Sequence, residues 1–182
     1  MTEEEALVEV LTRLDRLNIP YMITGSFASN YYGQPRATAD ADLVLEIEPR
    51  DAARIEAAFH DEFYASRPMI EDAAARRRSF NLIHLGSSFK IDCIVRKDRP
   101  FSREEFSRRR KAQLWGRDVW MASPEDVILS KLESSRIGDS ELRFQDALKT
   151  LRVQRDALDL GYLRRWAIEL GVEGLLDGLL VG

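Results

Sequence analysis

The sequence predicts an α/β (α+β) protein in which a small mixed sheet flanked by helices is followed by a helical bundle. Two observations lead to this prediction. Up to about residue 121, short apolar segments of strand character alternate with segments of helical periodicity. From about residue 122 onward, only helical segments remain. We therefore expect an α/β core at 1–121 and a C-terminal helical subdomain at 122–182.

The elements of the first half follow from local sequence signals. Thr2 and Glu5 form a capping box, and apolar residues recur at helical spacing after it. Pro20 ends the next turn, and Pro49 stands where the first turn of a helix accepts proline. The predicted elements are a helix at about 2–17, a strand at 21–24, a short helix at 26–32, a strand at about 41–47, a helix at about 49–60 and, after a loop or short strand, a helix ending in Arg76–Arg78.

The second half contains one hairpin signal and then repeated helix signals. Gly86-Ser87 separates two apolar segments, which predicts an antiparallel hairpin. Ser123-Pro-Glu-Asp126 places a cap residue, a proline and an acid in the order typical of a helix start. The predicted elements are strands at 79–85 and 88–95, a basic helix at 101–114, an edge strand at 119–121, and helices at about 124–137, 141–154, 159–170 and 172–180.

The composition is that of a globular protein with a well-charged surface. The chain has 182 residues, of which 45% are hydrophobic and 32% charged, and its net charge is −4. That charge argues against indiscriminate binding along nucleic acid, so any contact with RNA is expected to be local. The acidic N-terminus lacks the features of a secretory signal, and no apolar run approaches about 18 residues. We expect a soluble cytoplasmic protein with no membrane partner.

Three aspartates stand out because each lies on or beside a predicted apolar strand. Asp40 and Asp42 are two residues apart, so both side chains project from one face of their strand. Such a pair suits a hard cation, although acid pairs at this spacing arise easily in a chain this charged. Asp92 lies within the apolar strand 88–95, where a charge is costly unless it is paired or binds metal. The alternative is that Asp92 and Lys90 form the solvent face of a half-buried strand.

Gly25 and Ser26 follow the first predicted strand and precede the short helix. A strand that turns sharply into a helix points unpaired backbone N–H groups toward an anion, and glycine lets a phosphate approach the backbone. Ser26 adds a hydroxyl donor. The alternative is a turn glycine followed by a serine helix cap, with no ligand involved.

The order of these features resembles the nucleotidyltransferase superfamily related to DNA polymerase beta. The shared pattern is an apolar strand, Gly-Ser, thirteen residues between Ser26 and Asp40, Asp-x-Asp at a strand start, and a later Asp in an apolar strand. The resemblance covers about residues 19–95 and has Ala41 in the middle of the acid pair. It implies the nucleotidyltransferase fold and transfer of a nucleoside monophosphate from an NTP to a hydroxyl acceptor.

Further segments resemble the AbiEii/AbiGii type of nucleotidyltransferase toxins. Residues 33–42 read Gly-x-x-Arg-x-Thr-x-Asp-x-Asp, as in that class, and contain Arg36 and Thr38. A lysine-bearing helix and a later Arg/Lys-to-Asp motif also have counterparts, the second at less convincing spacing: Lys131, and Arg143 with Asp146.

The resemblance implies roles for two groups of residues. The catalytic group, which would also bind two Mg²⁺ ions or Mn²⁺ in their place, consists of Asp40, Asp42 and Asp92. The group that binds the nucleotide and its phosphates consists of Gly25, Ser26, Arg36, Thr38, Lys90 and Lys131. Lys131 shares a helix face with apolar residues and therefore needs an anion. A nucleotide phosphate or Asp146 meets that need, and snorkelling to the helix edge is the alternative.

Three functions are compatible with such a site. The first is a toxin of a toxin–antitoxin pair that modifies RNA such as a tRNA end, with a cognate antitoxin as its partner. The basic runs Arg76–Arg78 and Arg108–Lys111 are candidate RNA contacts, or else solvated helix faces. The second is nucleotidyl transfer to a protein or to a small molecule such as an aminoglycoside. The third is a catalytically idle binding protein of the same fold.

Overall fold

The computed structural model describes residues 2–138 and 140–181. The helices are α1 Glu3–Arg16, α2 Gly25–Tyr32, α3 Ala52–Phe59, α4 Arg67–Arg76, α5 Pro100–Ser107, α6 Pro124–Gly138, α7 Glu141–Gln154, α8 Leu160–Leu170 and α9 Glu173–Val181, with 3₁₀ turns at Pro49–Asp51 and Arg155–Ala157. The strands are β1 Tyr21–Thr24, β2 Asp40–Leu45, β3 Phe63–Tyr64, β4 Ser79–His84, β5 Lys90–Val95, β6 Arg110–Leu114 and β7 Arg117–Met121.

The strands form one mixed sheet in the order β3-β4-β5-β2-β1-β7-β6. The central strand β2 runs antiparallel to β1 and parallel to β5. The register therefore places the end of β1 beside the start of β2, with Thr24 opposite Asp42. Because the start of β5 lies on the other side of β2, three strand ends meet at one edge of the sheet, where the candidate site is built.

Alternation along β2 and β5 separates a buried face from a polar one. Ala41 and Leu43 of β2, and Ile91 and Cys93 of β5, have no exposed surface. The intervening residues of β5 are only partly buried. Strand geometry turns successive side chains to opposite faces, so the acids share the polar face as the sequence predicts.

The segment 101–114, expected to be one helix, is a helix followed by a strand. Helix α5 ends at Ser107, and Arg110–Leu114 pairs antiparallel with Arg117–Met121 as the edge strand β6. The two-residue turn between them consists of Trp115 and Gly116, both with positive φ, of 47° and 77°. Such a turn matches the twist of a hairpin. The expectation that 119–121 forms the edge strand is also wrong, because β7 pairs with β1 and β6 lies outside it.

The buried apolar residues form two clusters. The first joins the sheet to α1–α4 and includes Phe106 and Val127. The second is built mainly from α6–α9, and Phe101 of α5 joins it. The division at residues 121 and 122 stays a prediction. Among the described residues, no helix combines the length and the apolar character needed to span a lipid bilayer.

Candidate active site

An open cleft of about 740 Å³ lies where β1, β2 and β5 meet helices α5 and α6. Its walls include eight of the nine residues that the sequence predicts for the site: Gly25, Ser26, Arg36, Thr38, Asp40, Asp42, Asp92 and Lys131. The ninth, Lys90, enters through its ion pair with Asp92, with 2.9 Å between Nζ and Oδ2. A volume of this size accommodates a small-molecule ligand.

The three aspartates lie on adjacent positions of two paired strands. Asp42 and Asp92 are register partners across the parallel pair β2 and β5, and Asp40 is the register partner of Lys90. Thr38 Oγ1 lies 3.2 Å from Asp40 Oδ1, and the side-chain amide nitrogen of Asn81, when oriented toward Asp92, donates to its Oδ1 at 2.6 Å. Alternation along β2 alone predicts that Asp40 and Asp42 share a face. The pairing of β2 with β5 brings Asp92 beside them.

The fold disfavours the ionised form of Asp42. Burial raises its pKa above the ordinary value, and the negative charges of Asp40 and Asp92 raise it further. Lys131 and Lys90 oppose this shift without cancelling it. The strand side of the cleft therefore carries an excess of negative charge that a cation would relieve.

Gly25 holds the first turn of α2 directly against Asp42. Its φ of +62° lies in the left-handed region, which favours glycine. A Cβ at this position would overlap Asp42 Oδ2 and lie 2.6 Å from Asp42 Cγ. The turn therefore requires glycine for two independent reasons, its conformation and its closeness to the carboxylate.

Ser26 lies beside a partly buried network of two cations and one carboxylate. Its Oγ accepts from Arg36 Nη2 at 2.9 Å and lies 3.4 Å from Lys131 Nζ. Arg36 binds Asp146 through two hydrogen bonds of 2.9 Å, and Lys131 Nζ donates to Asp146 Oδ2 at 2.9 Å. Asp146 is thus the anion that pairs with the buried Lys131. The sequence left open whether this anion is Asp146 or a nucleotide phosphate.

Asp146 differs electrostatically from Asp42. Burial pushes its pKa upward, but the hydrogen bonds from Arg36 and Lys131 outweigh burial and hold the pKa below its ordinary value. The network carries two cations for one carboxylate. Its net positive charge, next to the N-terminus of α2, is suited to an anion such as a phosphate.

The donor chemistry of the strand side fits a hard divalent cation. Within residues 2–138 and 140–181, no three His, Cys, Asp or Glu side chains are drawn together as a preformed metal site. Two of the carboxylates instead contact side chains of the chain, Asp92 with Lys90 and Asp40 with Thr38. The oxygen-only donors of the three aspartates nevertheless match what Mg²⁺ prefers.

The two basic runs mostly contact the chain itself. Arg76 pairs with Asp72 at 2.7 Å, and Arg77 Nη1 donates to a backbone oxygen at 2.9 Å. The guanidinium carbon of Arg108 lies 3.7 Å from the ring centroid of Tyr162. These contacts fit a structural role, whereas the sequence left open RNA contacts or solvated helix faces for both runs.

The sequence interpretation missed a further acid of the cleft. Glu105 of α5 lines the cleft and is only 7% exposed. Its helix face also buries Phe101, Ser102 and Phe106. Glu105 follows the apolar Phe101 by four residues, and this helical spacing could have predicted that both side chains share a buried face. The single long helix expected at 101–114 gave no indication of which face is buried.

Comparisons with known proteins identify the fold. No protein-family model and no curated protein matches the chain. An antigenic nucleotidyltransferase-like protein from Paracoccidioides brasiliensis is similar over 82% of this chain and 76% of its own, with 20% identity and a TM-score of 0.58. ANT(2″)-Ia in complex with adenylyl-2″-tobramycin is similar over 93% and 97%, with 16% identity and a TM-score of 0.57.

A third solved structure, the lincosamide antibiotic adenylyltransferase LnuA with lincomycin bound, is similar over 81% of this chain and 95% of its own. Its identity is 11% and its TM-score 0.54. The chain therefore has the nucleotidyltransferase fold, a mixed sheet flanked by helices, which confirms the predicted fold class. The resemblance to the AbiEii/AbiGii type stays a prediction.

Proposed function

We propose that the chain is a metal-dependent nucleotidyltransferase that moves a nucleoside monophosphate from an NTP to a hydroxyl group of an acceptor. The observation that carries the proposal is the position of Asp42, which lies beside Asp92 on one side and against Gly25 on the other. One cleft thus contains a group of carboxylates that suits a divalent cation and a glycine turn at a helix N-terminus that suits a phosphate.

The carboxylates of Asp40, Asp42 and Asp92 would hold two divalent cations, Mg²⁺ or Mn²⁺ in its place. When bound, these cations supply positive charge that offsets the triphosphate and the leaving pyrophosphate. The predominance of negative charge on the strand side supports this assignment, because burial and then the charges of Asp40 and Asp92 raise the pKa of Asp42, and a bound cation would offset those charges.

The opposite wall binds the rest of the triphosphate. The first N–H groups of α2 and the Ser26 hydroxyl donate to the β- and γ-phosphates, and Gly25 leaves room for them beside Asp42. Lys131 and Arg36 add positive charge, held in place by Asp146. Thr38 fixes the carboxylate of Asp40 on the loop that enters β2.

The chemical step exchanges one phosphorus–oxygen bond for another. The acceptor hydroxyl attacks the α-phosphorus, a new ester bond forms, and the bond to pyrophosphate breaks. Asp92 accepts the hydroxyl proton, and Lys90 and Asn81 orient its carboxylate for this role.

The class of acceptor molecule is the second part of the proposal. A cleft of about 740 Å³ suits a small molecule, and two similar proteins, the antibiotic-resistance factor ANT(2″)-Ia and the lincosamide antibiotic adenylyltransferase LnuA, concern antibiotics by their names. The prediction of an RNA-modifying toxin with a cognate antitoxin has lost part of its support, because the basic runs mostly contact the chain itself. The catalytically idle alternative gives no reason for three acids on one face.

The test follows the α-phosphate. The protein is incubated with Mg²⁺, each NTP labelled at the α-phosphorus, and three separate acceptor fractions: total RNA, soluble protein and small metabolites. We expect label in one fraction and none with the Asp40→Asn/Asp42→Asn variant. Label in RNA supports the toxin prediction, and label in a small product supports the alternative. Equal labelling by the wild type and the variant, or no binding of Mg²⁺·NTP by calorimetry, contradicts the proposed function.

A further inference from the structure

The edge strand β6 carries a part of the second basic run that the proposed function does not use. Strand β6, Arg110–Leu114, is the last strand of the sheet, and among the residues that the structure describes it pairs only with β7. Over those same residues, the cleft wall includes none of 109–121. Lys111 and Gln113 are exposed, whereas Ala112 between them is buried. The outer side of β6 is thus an open sheet edge outside the candidate active site.

The hairpin turn fixes which backbone groups of β6 point outward. A two-residue turn makes its flanking residues a hydrogen-bonded pair, here Leu114 and Arg117. Bonded and non-bonded pairs alternate along an antiparallel ladder, so Ala112 also bonds to β7. The N–H and C=O groups of Lys111 and Gln113 therefore point away from β7. Such groups can pair with a further strand that lies beside the edge.

Two cations of this edge lie against one aromatic ring. The guanidinium carbon of Arg109 lies 5.1 Å from the ring centroid of Trp120, and Lys111 Nζ lies 5.7 Å from it. Gln113 and Asp118 are register partners on the same face of the hairpin, and Asp118 accepts a hydrogen bond from Gln113. The positive charge of this face is therefore concentrated at Arg109 and Lys111, two residues apart.

Arg109 distinguishes this edge from one that is only protected by charge. Its Nη1 donates to the backbone oxygen of Phe106 at 2.6 Å, but its buried Nε has no hydrogen-bond partner. Among the described residues, no carboxylate forms an ion pair with it. Burial lowers the pKa of Arg109, and the charge of Glu46 opposes that shift. A lysine that keeps other strands away can stay in water. A guanidinium that has lost water without gaining a carboxylate instead needs an anion.

We propose that β6 is a docking edge for an extended acidic segment of another protein, which joins the sheet as an additional strand. Backbone pairing at Lys111 and Gln113 holds the segment, and carboxylates at alternate positions lie beside Arg109 and Lys111. The outward backbone groups and the cations both recur at every second residue, which is the repeat of one face of a strand.

The same observations disfavour two other occupants. A nucleic acid would supply negative charge, but it has no peptide groups to pair with the outward N–H and C=O groups of Lys111 and Gln113. A second copy of β6, with the sequence Arg-Lys-Ala-Gln-Leu, would bring further cations to the edge and no carboxylate. An acidic strand satisfies both the backbone and the charges.

The test uses the peptide acetyl-Thr-Glu-Val-Glu-Val-Thr-amide and a control peptide with glutamine in place of both glutamates. Binding is followed through the backbone amide chemical shifts of the whole protein at pH 7 and low salt. We expect the acidic peptide to bind at least about fivefold tighter than the control peptide, because it adds two cross-strand charge pairs. The amide signals of residues 111 and 113 should shift on binding.

Three variants separate the charge from the backbone. Lys111→Glu should weaken binding of the acidic peptide by at least about fivefold, because like charges then lie opposite each other. Gln113→Pro removes an outward N–H and keeps the bonds to β7, so binding of both peptides should be lost. Lys149→Glu makes the same change of charge on α7 and should bind as wild type does. If Gln113→Pro does not fold, Lys111→Glu and the two peptides still decide.

The remaining outcomes overturn the proposal. Equal binding of the two peptides, or equal binding of the acidic peptide by wild type and Lys111→Glu, removes the role of the cations. Binding of a short single-stranded RNA that depends on Lys111, without binding of the acidic peptide, assigns the edge to nucleic acid. Self-association in sedimentation that is lost in Gln113→Pro assigns it to a second copy. None of these measurements involves nucleotidyl transfer, so the proposed function can fail or stand independently.

Discussion

The two walls of the cleft hold opposite electrostatic states. On the strand side, Asp40, Asp42 and Asp92 gather negative charge, and the pKa of Asp42 is raised. On the helix side, Arg36 and Lys131 surround Asp146, and its pKa is lowered. The strand side therefore has the excess of negative charge that the proposed cations would offset, whereas the helix side has two cations around one carboxylate and a net positive charge.

This difference indicates which wall weakens the fold when no cation is bound and which wall also stabilises the fold. A carboxylate with a raised pKa reduces the stability of the fold at neutral pH, which is typical of a site retained for function. A carboxylate held by two cations stabilises the fold and positions those cations. Substitutions on the strand side should therefore separate activity from stability, whereas substitutions on the helix side should reduce both.

The sharpest test of the strand side is Asp42→Asn. Nucleotidyl transfer should fall by at least about 1,000-fold, because the substitution removes one of the proposed cation ligands. Stability should nevertheless stay equal or rise by about 1 kcal/mol, because the buried charge is gone. Label transfer and urea denaturation measure the two effects. Asp118→Asn, an exposed strand acid outside the cleft, should change neither. A large loss of stability in Asp42→Asn would contradict the comparison.

Gly25→Ala tests the contact between the walls. The new Cβ would overlap the Asp42 carboxylate, so transfer should fall by about 100-fold. Unfolding free energy should drop by about 2–4 kcal/mol, from the positive φ together with overpacking. The matched control is Gly116→Ala, which has a φ of +77° and no atom within 4 Å of its Cβ. Gly116→Ala should lose only the unfolding free energy that comes from the positive φ, about 1 kcal/mol. Equal losses in both variants would remove the steric argument.

Asp146→Asn tests the helix side. It leaves Arg36 and Lys131 without their charged partner, so stability should fall by about 3 kcal/mol. Transfer should fall by about tenfold, mainly through a higher KM for the NTP, because the two cations lose their positions. Asp177→Asn, which breaks an exposed pair of 3.7 Å with Arg164, should cost less than about 0.5 kcal/mol. Unchanged stability in Asp146→Asn would show that Asp146 is not an anchor.

The two sides also differ in what the sequence could predict. Asp40 and Asp42 are local, so the alternation of a strand places them on one face without any tertiary information. Asp146 meets Arg36 across 110 positions of the chain, and only the packing of α7 against α2 brings them together. The error at 110–114 has the same origin. Arg-Lys-Ala-Gln-Leu favours a helix locally, but pairing with β7 through the Trp115-Gly116 turn prevails.

The pH dependence of stability gives the finest test of the comparison, because it separates the acids by sign. Asp146 has a lowered folded pKa, so its contribution is present at neutral pH and is lost as the pH falls below about 4.

Glu105 has a folded pKa of about 8, against an ordinary value of 4.5. The folded state therefore binds the extra proton, and stability should decrease as the pH rises from about 4.5 to 8. A shift of that size corresponds to at most about 5 kcal/mol, and access of water from the cleft should reduce it. Urea denaturation between pH 5 and 9 should show a shallower decline in Glu105→Gln than in wild type and Glu104→Gln. Parallel curves for Glu105→Gln and wild type would mean that Glu105 is already ionised in the folded protein. Any loss of stability between pH 5 and 9 would then come from the strand-side carboxylates, above all from Asp42.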